Sequence, residues 1–152
     1  RRVLFRSSCN GEIFTMVTIS DVTLRANVYE TIYDLLTAAN LASSTVTVTG
    51  AYIDDGQHIP QVVINPIDKT EGEYTIDNVR NTSTKNLILT IDVFTKKSKQ
   101  VDTICDEIDN LIRSTVFSGI TIQSLESNVG AVLTPQNNKL HLTTITVNFK
   151  RR

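Results

Sequence analysis

The residues of this 152-residue chain able to bind a metal or move a proton are few: His58, His141, Cys9, Cys105 and a cluster of carboxylates. A metal centre needs histidine, thiolate or carboxylate ligands converging at a defined spacing. His58 stands in a turn just after Asp54-Asp55-Gly56, and His141 alternates with Leu140 and Leu142. Neither has companions at ligand spacing, so both read as exposed or half-exposed side chains. Asp54 and Asp55 are explained by turn chemistry rather than by acid–base work. No glycine-rich phosphate loop follows a strand-like run, and no serine sits in a nucleophile elbow. No catalytic residue, metal or cofactor is expected.

The densest polar feature is Asp102, Asp106 and Asp109, with Glu107 beside them. The i, i+4, i+7 spacing stacks the three aspartates on one helix face. Two readings follow: a divalent-cation site or acidic lining, or the solvated face of an amphipathic helix with Lys99 and Arg113 as partners. The second needs nothing beyond the helix itself and is preferred. Lys96, Lys97 and Lys99 make a basic cluster before that helix; with no interleaved aromatic residues they read as a solvated turn. Cys105 falls on the apolar stripe, where a buried thiol is inert, and a Cys9–Cys105 crosslink is not expected.

Composition narrows the classes further. The net charge is −1, with 40% hydrophobic and 20% charged residues. Such a balance suits one folded domain and provides no global field to recruit nucleic acid or an anionic membrane. No run of ~18 apolar residues is present, so no bilayer-spanning helix is expected.

The elements that must position these side chains centre on residues 86–115. From Leu87 to Phe94 the apolar residues alternate with the strand period, Leu87, Leu89, Ile91 and Val93 sharing a face. Val101, Ile104, Cys105, Ile108, Leu111 and Ile112 then follow helical spacing, with Ser98 as N-cap. Upstream, a first helix is expected over residues 22–39, capped by Ser20 or Asp21, with Val28, Ile32, Leu35, Leu36 and Ala39 inward and Asn40 as left-handed C′ residue. Residues 45–53 read as a strand in which Gly50 marks a bulge or close approach. Residues 61–65, between Pro60 and Pro66, read as an edge strand.

Residues 67–85 form a polar connection that includes a short strand-like run at 74–79. A connection this long is a candidate surface for another subunit, with Lys69, Glu71, Glu73, Tyr74, Arg80 and Lys85 its interface residues. Strands follow at 120–126, 129–134 and 139–150. In the last, the apolar phase shifts between Leu142 and Ile145, and a bulge at Thr143-Thr144 would restore one face. Residues 1–15 lack either periodicity, and residues 1–7 look like translated linker sequence; Met16 makes a natural start. The domain is therefore set at residues 16–152, the alternative for the leader being a basic arm toward nucleic acid or a neighbouring subunit. The expected fold class is α+β: a mainly antiparallel sheet of about five or six strands with two helices packed on one face.

This order of elements resembles the tail-terminator (tail-completion) proteins of long-tailed phages and related archaeal viruses, over residues 22–149. The resemblance rests on the helix around Val28-Tyr29-Glu30-Thr31-Ile32-Tyr33-Asp34-Leu35-Leu36, the proline-flanked strand at 61–65 and the loop before the main strand. Its most telling part is Leu89-Thr90-Ile91-Asp92-Val93-Phe94-Thr95-Lys96-Lys97 running straight into the second helix. The resemblance implies a non-enzymatic virion protein assembled in the host cytoplasm. It would form a homo-oligomeric ring, commonly a hexamer, that caps the tail tube, ends its polymerisation and joins the tail to the head connector. The implied partners are further copies of the chain, the major tail tube protein and a connector or neck protein, with DNA met only in passing through the lumen and no membrane. Asp102, Asp106 and Asp109 would then be candidates for an acidic lumen face. The competing readings are another neck or head–tail joining protein, or a small cellular α+β ligand-binding domain.

Overall fold

The strongest alternation in the sequence becomes the central strand of the fold. The computed structural model describes residues 5–9, 12–18, 24–43, 46–71, 85–134 and 139–151. In chain order the elements are β1 (Phe5–Cys9), β2 (Glu12–Thr18), α1 (Leu24–Ala38), β3 (Thr47–Thr49), β4 (Gln61–Ile64), β5 (Asp68–Glu71), β6 (Lys85–Thr95), α2 (Ser98–Ser114), β7 (Thr115–Ser118), β8 (Ile120–Leu133) and β9 (Lys139–Arg151). The main sheet runs β3-β4-β6-β9-β8, with β5 pairing the start of β6 beside β4. All pairings in it are antiparallel except β3 with β4. Two helices and a mostly antiparallel sheet make an α+β fold.

Leu87, Leu89, Ile91 and Val93 are buried on the inward face of β6, beside Phe149, Val147, Ile145 and Thr143 of β9. The stripe Val101, Ile104, Ile108 and Ile112 of α2 packs into the same core, as do Val28, Ile32 and Leu36 of α1. The ring of Phe117 on β7 meets Phe149 edge-on at 5.3 Å. Only Lys96 and Lys97 separate β6 from α2, so the helix must fold straight back over the strands that precede it. Each fully buried aliphatic side chain contributes roughly 1.5–3 kcal/mol, which makes this shared core the main source of stability.

Several local expectations give way to other solutions. β4 is an inner strand, paired on both sides and buried at all four residues. Its flanking prolines do no harm because Pro60 lies outside the ladder and its carbonyl accepts the Thr47 amide at 3.0 Å. The N-cap of α2 is Lys97, not Ser98; it is extended and lends no side-chain cap. The left-handed residue after α1 is Ala42 (φ 53°), not Asn40. Its amide donates to the Glu107 carboxylate on α2, so a tertiary contact holds the unfavourable conformation. The strand expected over 45–53 is confined to Thr47–Thr49. Ser20 and Asp21 lie outside the described residues. Phe5–Cys9 and Glu12–Thr18, which straddle the end of the leader set at residues 1–15, pair antiparallel, and the second of them pairs in parallel with β7.

The phase shift in β9 has a different origin from a bulge at Thr143-Thr144. Both residues keep unbroken register with β6, opposite Val93 and Asp92. The irregularity falls instead on β8, between Ile122 and Ser124. The apolar residues change phase because the cover changes face. Ile145, Val147 and Phe149 face the helices, whereas Leu142 lies opposite Phe94, whose ring meets Tyr52 at 4.7 Å on the outer face. β8 also joins the runs expected at 120–126 and 129–134 into one strand.

Apart from Ile88 and Val63, the rest of the outer face around Asp92 is polar. Asp92 of β6 accepts from Asn65 Nδ2 at 2.7 Å and from Thr144 Oγ1 at 2.6 Å, and Asn148 Nδ2 donates to Ser124 Oγ at 2.7 Å. Hydrogen bonds to a charged group contribute more than neutral ones, and a half-buried partner left unsatisfied is costly. Asp92→Ala strands both the Asn65 amide and the Thr144 hydroxyl. The expected loss is about 2 kcal/mol, measured by urea unfolding, with Thr144→Ala costing less because Asn65 keeps its acceptor.

Candidate functional site

The acidic residues of α2 do share a helix face, but not for one purpose. Asp109 receives the Arg113 Nε–H, which lies 2.9 Å from each carboxylate oxygen, an i, i+4 surface pair. Glu107 is turned toward the Ala42 amide. Asp102 and Asp106 remain on the exposed side. Among the described residues no three His, Cys, Asp or Glu side chains are grouped to hold a metal ion. Asp109 thus behaves as a solvated helix face would have it, Glu107 departs from that reading through its tertiary contact, and Asp102 and Asp106 stand as an exposed acidic pair on the helix.

Cys105 points from α2 toward Thr143 of β9. Burial pushes its thiol up to about 11; the Thr143 hydroxyl partly offsets this, and Asp102 and Asp106 add to it by disfavouring the thiolate. A thiol held protonated is neither nucleophile nor ligand at neutral pH. His58 closes a single 3-10 turn in which Asp55 accepts the Gln57 amide at 3.0 Å, with His58 Nδ1 lying 3.4 Å from Asp55 Oδ2. His141 is half-buried on β9 opposite Thr95. The two histidines serve separate elements.

One cavity of about 340 Å³ lies at the end of the sheet, lined by Tyr52, Asp54, Asp55, Ile59, Lys96 and Lys139 among others. It is built by the loop after β3 crossing toward the start of β9. That loop is tied down where Gln61 Oε1 accepts the Ile53 amide at 3.1 Å and Lys96 Nζ donates to the Gly56 carbonyl at 3.1 Å. Its charges are balanced in sign, and no nucleophile–base pair points into it. Burial, and to a lesser degree Asp54, raises the Tyr52 phenol from its ordinary value. These features describe a braced loop rather than a reaction centre.

Of the candidate interface residues, Lys69 and Glu71 lie on β5 and Lys85 opens β6, with Glu71 and Lys85 register partners and Lys69 opposite Leu87. The strand supplies backbone pairing in part of a segment read as polar connection. Glu73, Tyr74 and Arg80, and the strand-like run at 74–79, lie outside the described residues. Sequence reasoning missed a different surface: the outer half of β8, where Val129 is 80% and Leu133 67% exposed. Its signal was present as the uncharged run Ser-Asn-Val-Gly-Ala-Val-Leu at residues 127–133. Periodicity marks such a run as strand but does not say that nothing covers it.

No protein-family model matches the chain, and no curated protein is found to be similar to it. Its fold has a solved counterpart: a chain in the virion of a native gene transfer agent (GTA) particle, similar with a TM-score of 0.52 at 16% identity. The match covers 86% of this chain and 97% of that one. At this identity the likeness is one of fold.

Two outcomes test these local readings. Gly50 is required by a close approach: a Cβ there would stand 2.5 Å from the Tyr29 hydroxyl but 3.8 Å from the ring carbon bearing it. Gly50→Ala should therefore destabilise the wild type by about 1 kcal/mol and be nearly neutral in a Tyr29→Phe background, a coupling read by a double-mutant cycle. In a Cys9→Ser background, alkylation of Cys105 should be slow at neutral pH and rise roughly tenfold per pH unit until its thiol titrates; rapid labelling at pH 7 would contradict the burial argument.

Proposed function

We propose that this chain is a structural virion protein that closes into a homo-oligomeric ring, caps the tail tube, ends its polymerisation and joins the tail to the head connector. The observation that carries the reading is the fold likeness to a virion chain, which spans nearly the whole of that chain. The chain's own surfaces agree with it. Asp92, Glu107 and Asp109 are engaged by neighbouring groups, and the two most exposed apolar side chains, Val129 and Leu133, lie on the β8 edge.

Such a role works by geometry. A ring whose lower face matches the last tube subunits ends addition by covering them, and its upper face presents a docking surface for the neck. Closure of a ring requires two different patches on one chain, meeting head to tail. The β5–β6 edge around Lys69, Glu71 and Lys85 is one candidate patch. Asp102 and Asp106 are candidates for a lumen wall, where like charge repels passing DNA; Asp109, tied to Arg113, contributes less.

Purified protein examined at high concentration by negative-stain electron microscopy should show closed rings, and adding it to polymerising tail tube subunits should shorten the tubes. A strict monomer that leaves tube length unchanged would overturn the proposal. Rings that bind the connector without affecting tube length would move the protein to another position in the neck.

A further inference from the structure

On the helix side of the sheet the cover stops between β9 and β8. Thr143 of β9 is 3% exposed and Ile145 1%, yet their register partners on β8 are Val129, 80% exposed, and Ser127, also exposed. Ala131 and Leu133 share this face and stand in solvent, while half-buried Leu125 closes its inner end. Among the described residues, α1 packs toward β3 and α2 over β6 and β9, and neither covers the outer half of β8. A helix is about 10 Å across and neighbouring strands about 4.8 Å apart, so the place beside α2 has the width of one more helix.

α2 forms the wall of this shelf. Its Cys105 faces Thr143, and Asp102 and Asp106 lie near enough to Cys105 to disfavour the thiolate. Glu107 and Leu111 occupy the opposite flank of the helix, toward Ala42 and the end of α1. Because α1 stands on the β3 side of the sheet, the flank holding Asp102, Cys105 and Asp106 is the one that borders β8. Asp109, further along, is tied to Arg113, whereas Asp102 and Asp106 are exposed. The floor brings no charge of its own, since residues 127–133 carry none.

Floor and wall together define what fits. Exposed Val129 and Leu133 favour an apolar occupant. Any occupant that covers them is brought against Asp102 and Asp106 and strips water from their carboxylates, which is costly unless a cation replaces it. A neutral or acidic partner leaves those charges uncompensated. One with lysine or arginine along the border of an apolar stripe satisfies both surfaces, and the helical width of the place favours a stripe at i, i+3, i+4 spacing. A lumen wall here would leave Val129 and Leu133 in channel water beside the aspartates, so the apolar floor favours a contact over a lining.

We propose that the shelf between α2 and the outer half of β8 docks an amphipathic helix of a partner protein, its apolar stripe on Val129 and Leu133 and its lysine or arginine side chains against Asp102 and Asp106. The contact needs no ring and stands apart from that reading; within a ring it moves the two aspartates from the lumen to an interface. All four side chains are exposed, so the fold should tolerate changing them.

The probe is a fluorescein-labelled synthetic peptide of leucine and lysine at helical spacing, with a leucine–glutamate peptide as counterpart, read by anisotropy against the full chain. The lysine peptide should bind roughly tenfold or more tightly than the glutamate peptide. Val129→Ser with Leu133→Ser, and separately Asp102→Asn with Asp106→Asn, should keep the thermal melt and each weaken that binding roughly tenfold. The same charge change on the outer-face loop, Asp54→Asn with Asp55→Asn, should leave it intact. Equal binding of the two peptides, or an equal loss from the loop variant, would overturn the shelf. So would a serine pair that blocks self-association of the chain without weakening the peptide, which would give the floor to a second copy. DNA adhering to rings of the Asp102→Asn, Asp106→Asn variant, with peptide binding unchanged, would return the aspartates to the lumen and overturn the contact.

Discussion

The inward face of β6 is the constraint on which the rest of the fold depends. Four aliphatic side chains at strand period, Leu87, Leu89, Ile91 and Val93, must be covered, and the chain reaches α2 after only two residues. A link that short leaves the helix no route except back along β6 and β9. Thr95, itself buried, donates its hydroxyl to the Lys97 carbonyl at 2.7 Å and fixes that reversal. The direction of α2 then places Thr115 and Phe117 at the far end of β9, so that β7 and β8 begin where the core has to be closed. One tight connection thus orders the second half of the molecule.

The opposite face of the same strand is governed by polarity rather than by burial. Asp92 gathers Asn65 from the end of β4 and Thr144 from β9 into one set of hydrogen bonds. A carboxylate is tolerated in a half-buried place only when its oxygens are satisfied, and two neighbours on different strands do that here. The face turns apolar at the end of the sheet, where Tyr52 covers Phe94 and Leu140 is buried beneath the same loop. Gln61 holds that loop through the Ile53 amide, which explains why a polar residue occupies a fully buried place on β4.

What was legible in the sequence is what depends on local period. β6 and α2 were, because strict alternation and the i, i+3, i+4 stripe each admit one placement of the buried face. The α+β class followed from their order. What was not legible depends on distant partners. β4 reads as an edge from its prolines, yet its position is set by Phe94 on one side and Thr47 on the other. The β9 phase shift looks like a bulge from within the strand, and only the loop over Phe94 shows that the cover has changed sides. Glu107 appeared among the acidic residues of a solvated face, while its role is to satisfy an amide 65 residues away in sequence. The candidate aspartates were found by spacing alone; spacing could not distinguish Asp109, committed to Arg113, from Asp102 and Asp106.

Among the described residues, several of the groups able to do chemistry are committed to the fold. A catalytic group needs its charge or lone pair free and aimed into a place that excludes water. Here Asp92, Asp109 and Glu107 spend their oxygens on the fold, and Cys105 is held protonated by burial. The features left uncommitted are the exposed Asp102 and Asp106 on α2 and the uncharged outer half of β8, where Val129 and Leu133 stand in solvent. An edge strand with exposed valine and leucine is an aggregation hazard for a protein that works alone. That hazard is tolerable when assembly covers the edge.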